Sequence, residues 1–94
     1  MMSGGKYLYC NFATFTYLQK LVYVDIMNKQ ITTVGKYATS ELAEAISAAA
    51  EKDNLDLVIL EGNEAYLKKI SKEIRDLNEN LKVEVNPYYN EISY

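Results

Sequence analysis

Side chains able to do acid–base, nucleophilic or metal chemistry are sparse in this chain. Histidine is absent and cysteine occurs once, at Cys10. Zinc sites of the Cys/His kind, histidine proton transfer, and Ser–His–Asp or Cys–His nucleophiles are therefore excluded. A single thiol cannot close an internal disulfide, and Cys10 lies in a β-rich segment that predicts a buried structural thiol. The remaining polar candidates are Asn11, Glu61, Asn63 and Asn86. Asn11, Glu61 and Asn86 fall at the ends of apolar segments that read as strands. Open α/β sheets bind ligands at the carboxyl ends of their strands. One expectation is thus a small polar ligand or metal between Asn11 and Glu61, with the N–H groups at Asn63 nearby. The plainer expectation is that Asn63 caps a helix, Glu61 is a solvated loop acid and Asn11 bonds the turn. Asp25, at another strand end, reads as a turn residue. Gly4-Gly5, Gly35 and Gly62 form no phosphate cradle, and no cofactor is expected.

Tyrosine is abundant, at nine of 94 residues, and its ring is apolar while its hydroxyl is polar. Tyr7, Tyr9 and Tyr23 are the candidates for a partner interface, provided that they share a sheet face with no helix over it. The alternative is that they pack under the C-terminal tail. Net charge is −3, from 10 basic and 13 acidic residues, and the pI is about 4.9. Binding to nucleic-acid backbones depends on Lys and Arg, so such a partner is not expected. Lys68, Lys69, Lys72 and Arg75 do cluster on one helix, but Glu64, Glu73, Asp76 and Glu79 offset them. Pairs at helical spacing, such as Asp76 with Lys72, make that face a solvated one. No apolar run approaches membrane-spanning length, and Met1 to Gly5 has no signal-like stretch. No membrane contact and a cytoplasmic location are the default expectations, with a homo-oligomer or another protein as partner. The small, accessory character of the chain also suits a viral or mobile-element protein.

These residues need elements to place them. A single α/β domain over 1–94 is expected, with residues 1–5 a flexible tip and 88–94 a tail. Strands are predicted at Lys6–Phe12, Tyr17–Ile26 and Ile31–Tyr37, with a turn or strand continuation at Thr14–Thr16 and a hairpin at Met27–Gln30. Thr39 or Ser40 should cap a helix whose core stripe is Leu42, Ala45, Ile46, Ala49 and Ala50, ending near Asp53-Asn54. Leu55–Leu60 is a continuous apolar run, which predicts a central strand covered on both faces. Asn63 should cap a second helix carrying Leu67, Ile70, Ile74 and Leu77. Leu81–Val85 alternates as a last strand, which Pro87 stops.

The order is βββαβαβ. Short connections favour antiparallel pairing among the first three strands, and right-handed helical crossovers favour parallel pairing of the later ones. The simplest result is a mixed five-stranded sheet in the order 3-2-1-4-5, with both helices on one face. In the first strand Leu8, Cys10 and Phe12 suit the helix side, and Tyr7, Tyr9 and Asn11 the other. In the second strand Val22, Val24 and Ile26 suit the helix side, and Leu21, Tyr23 and Asp25 the other.

Across residues 6–87 this order resembles the ribonuclease H-like fold. Tyr9-Cys10-Asn11-Phe12-Ala13-Thr14 looks like its first-strand motif, in which an aspartate precedes small residues and Thr. Val58-Ile59-Leu60-Glu61-Gly62-Asn63 is similar to the end of its fourth strand, where resolvase-type members keep a glutamate. The resemblance puts Asn11 in the place of the first metal-binding aspartate and Glu61 at the second acidic position. An amide adds no charge to a Mg²⁺ site, and two-metal hydrolysis needs several converging carboxylates. The resemblance therefore implies a degenerate site with the nuclease chemistry lost. The favoured expectation is a non-enzymatic assembly module, self-associating through a tyrosine-rich face or an edge strand. The alternative is a small-ligand or nucleotide-binding domain centred on Asn11 and Glu61.

Overall fold

The computed structural model describes residues 5–12 and 18–87. Its elements are β1 (Lys6–Asn11), β2 (Leu18–Asp25), β3 (Gln30–Ala38), α1 (Thr39–Lys52), β4 (Leu57–Gly62), α2 (Glu64–Leu77) and β5 (Lys82–Pro87). The five strands form one sheet in the order β3-β2-β1-β4-β5. β1–β2 and β2–β3 are antiparallel, whereas β1–β4 and β4–β5 are parallel. The expected topology is thus the observed one.

Short connections account for the antiparallel half. At the β2–β3 hairpin, Asp25 Oδ1 accepts from the Asn28 backbone N–H at 3.1 Å, and Oδ2 accepts from Asn28 Nδ2 at 2.8 Å. Both bonds favour the ionised carboxylate and hold the Asp25 pKa below its usual range. Asp25 is the turn residue expected. Lys29 adopts φ 55° beside it, closing the hairpin.

One core lies between the sheet and both helices. Leu8, Cys10, Leu21, Val58 and Leu60 of the sheet meet Leu42 and Ile46 of α1 and Leu67, Ile70 and Ile74 of α2. Pairing decides which residues face that core, because directly paired residues share a side of the sheet. Leu8 pairs with Tyr23 and Cys10 with Leu21, while Tyr9 pairs with Val22 and Tyr7 with Val24. The expected faces of β2 are therefore exchanged. Leu21 and Tyr23 stand on the helix side, and Val22 and Val24 stand with Tyr7 and Tyr9. Ile26 lies beyond β2 and is 55% exposed.

Other local expectations shift for related reasons. Ala38, not Thr39 or Ser40, is the N-cap residue of α1, and it carries no side-chain cap. Ala43 and Ser47 are buried while Ala45 and Ala49 are only half-buried, because α1 packs sideways on α2 as well as on the sheet. β4 alternates between buried and half-buried positions, so helices cover one of its faces and not both. Leu77, at the last turn of α2, is exposed. On α2 an ion pair joins Lys68 to Glu64 at 3.7 Å between exposed side chains, rather than Asp76 to Lys72. The expected turn at Thr14–Thr16, the start of the second strand at Tyr17, most of the tip at 1–5 and the docking tail at 88–94 fall outside the described residues.

Candidate functional site

The parallel register brings three predicted residues into one row. Asn11 is opposite Glu61, and Glu61 is opposite Asn86. With neighbouring strands about 4.8 Å apart, the row spans roughly 10 Å across β1, β4 and β5. It lies at the carboxyl ends of all three strands, on the face away from the helices. Leu60 and Cys10 alternate with Glu61 and Asn11 and are wholly buried on the helix side.

The end of β4 is held there by backbone chemistry. The Phe12 N–H donates to the Glu61 carbonyl at 2.8 Å, carrying the β1–β4 ladder one residue past β1. Gly62 follows with φ +144°, and a Cβ there would come within 2.7 Å of Phe12 Cβ. Glycine is required on both counts, by conformation and by contact. Phe12 in turn meets the Tyr66 ring edge-on, with centroids 5.2 Å apart and planes at 89°. Asn63 then starts α2, and its Oδ1 accepts from the Tyr66 N–H at 3.2 Å. Asn63 thus follows the row by two residues with its Oδ1 committed to the helix cap.

Tyr9 joins the row, which sequence reasoning did not foresee. Its hydroxyl donates to Glu61 Oε1. Asn11 Nδ2 donates to the Tyr9 oxygen at 3.0 Å. The available signal was the two-residue spacing of Tyr9 and Asn11, which puts both on one side of β1. The chain of donors ends on a carboxylate and fixes the orientation of its Oε1. Tyr7 and Tyr9 share this open face and are half-buried. Tyr23 is on the opposite side, against the core. The three tyrosines therefore form no common surface.

Among the described residues, no group of three or more His, Cys, Asp and Glu side chains could hold a metal ion. The row offers one carboxylate and two amides, which is short of the several carboxylates that two-metal hydrolysis needs. Its groups suit hydrogen bonding: one anionic acceptor, amides that donate and accept, and aromatic rings on the same face. Grooves also lie elsewhere on the molecule. One of about 550 Å³ runs between α1 and β3, and one of about 270 Å³ lies between the start of α1 and α2. Among the described residues, no helix is long and apolar enough to cross a membrane.

The chain is similar to the crystal structure of the fowlpox virus Holliday junction resolvase, at 21% identity and a TM-score of 0.47. That similarity covers 85% of this chain and 60% of the resolvase chain. No family model matches the sequence, and no curated protein matches it.

Proposed function

We propose that the Tyr9–Asn11–Glu61–Asn86 row binds a small polar ligand of nucleobase or nucleoside type. The observation that carries this reading is the in-register row, with the Tyr9 hydroxyl fixed on Glu61. A nucleobase offers a planar face for tyrosine rings and an edge of N–H donors and acceptors for a carboxylate and amides. Glu61 accepts the ligand's donors, Asn11 and Asn86 read its flanking groups, and the Tyr9 hydroxyl keeps the carboxylate from turning away. A free phosphate fits less well, because the one formal charge in the row is negative.

The test is a backbone amide NMR titration with a panel of nucleosides. The expected result is shifts centred on Asn11, Glu61 and Asn86. Glu61→Gln should weaken binding by about tenfold to a hundredfold, the range of one charged hydrogen bond. Tyr9→Phe should weaken it less. No shift at millimolar nucleoside, or equal shifts in Glu61→Gln, refutes the reading.

A second reading, self-association as an assembly module, is supported by β3, which among the described residues is an edge strand of the sheet with an exposed first half. A three-tyrosine face no longer supports it, since Tyr23 faces the helices.

A further inference from the structure

The groups of the polar row are not equally committed. The Tyr9 hydroxyl has one proton and gives it to Glu61 Oε1. Its oxygen is then left to accept, and Asn11 Nδ2 donates to it at 3.0 Å. On the β1 side, these bonds run along the row and end on the carboxylate. The β5 side differs. Among the described residues, no group donates to Glu61 Oε2, and the Asn86 side chain makes no hydrogen bond. Neither is sealed from water. Asn86 is exposed, and the one buried side-chain N or O atom lacking a partner among the described residues is Asp56 Oδ1, which precedes β4 at its other end.

We infer that the ligand is a guanine nucleoside, held by its Watson–Crick edge across Glu61 and Asn86. This rests on the reading of the row as a nucleobase site and names the base. An ionised carboxylate accepts and never donates, so the edge set against Glu61 must donate. Guanine presents O6, N1–H and the N2 amine in order along one edge, an acceptor followed by two donors. The two donors meet the Glu61 carboxylate, where Tyr9 fills one of about four acceptor sites. O6 meets the amide of Asn86 on the neighbouring strand.

The other bases fail at Glu61. Adenine and cytosine set a single donor beside a ring nitrogen that accepts. Uracil flanks its one donor with two carbonyls. Each turns a lone pair toward the carboxylate, and a site built for a donor rejects analogues that lack it. A guanidinium carries a similar pair of parallel N–H donors. It has no acceptor for the Asn86 amide and no fused ring for the tyrosines of this face, so the row is assigned to guanine.

The test is an amide NMR titration of the full chain with guanosine, inosine, 1-methylguanosine, adenosine, cytidine, uridine and N-acetylarginine amide. Guanosine should bind most tightly, with the largest shifts at Glu61 and Asn86. Inosine, which lacks only the N2 amine, should bind about tenfold more weakly, as for one hydrogen bond to a charged acceptor. 1-Methylguanosine and adenosine should be weaker still. Asn86→Asp sets a carboxylate against O6 and should weaken guanosine about tenfold. Its circular dichroism spectrum should match that of the wild type, because Asn86 is exposed. Equal binding of all the nucleosides at the row overturns this inference and leaves the nucleobase reading standing. Tighter binding of the arginine amide than of guanosine overturns it in favour of a guanidinium. No binding of any nucleoside overturns both readings.

Discussion

Burial pushes the Cys10 thiol up to about 12, because a thiolate there would be taken out of water into an apolar core. Unfolded, the same thiol ionises near 9.0. The folded pKa is the higher one, so the contribution of Cys10 to stability is complete below pH 9. It is lost as pH rises toward 12, at about 1.4 kcal/mol per pH unit. The difference between wild-type and Cys10→Ala unfolding curves isolates the effect. That difference should slope between pH 9 and 11, and a flat one would refute the assignment. Glu61 was legible as a candidate from its place after an apolar run, but its bond from Tyr9 was not. The two residues are 52 positions apart, and only strand pairing brings them together.

At the scale of elements, the helix starts carry a direct comparison. α2 begins with Asn63 accepting from the Tyr66 N–H, whereas α1 begins after Ala38 with no side-chain cap. Asn63→Ala should therefore cost about 1 kcal/mol of stability. Thr39→Ala or Ser40→Ala should stay within about 0.5 kcal/mol, as for surface positions. Urea unfolding followed by circular dichroism checks this, and equal losses at both helices would contradict the capping assignment. Thr39 and Ser40 have the right chemistry for a cap, so the sequence misleads there. β3 runs to Ala38 and enters α1 directly, which places both hydroxyl residues inside the first turn.

At the scale of the molecule, the helices pack on one face of the sheet, and the other face is half-buried at β1 and β4. Ile46 of α1 is 0% exposed at the helix–sheet contact, while Ile59 of β4 is half-buried on the open face. Ile46→Ala should cost about 2–5 kcal/mol, the range for core truncation. Ile59→Ala should cost clearly less. Chemical denaturation of the two variants checks this, and similar losses would mean that the open face is packed as tightly as the core. The same asymmetry separates the two proposed activities. The polar row occupies the open face at the carboxyl end of the parallel strands, and the β3 edge that supports the assembly reading is separated from it by β2, so ligand binding and assembly can be tested independently.

Element order, the topology it imposes and the alternation of residues within each strand were determined by the sequence alone. Hydrophobic period and turn chemistry are local, and short connections and crossover handedness leave few ways to order the strands. The row of Asn11, Glu61 and Asn86 followed from that topology. Tertiary structure decided which face of β2 meets the helices. Leu21 and Tyr23 compete there with Val22 and Val24, two sets that are both apolar enough for a core. Local patterning holds no preference between them. The pairing of Cys10 with Leu21 and Leu8 with Tyr23 settles it, because a residue's side of a sheet follows from its partner across the ladder.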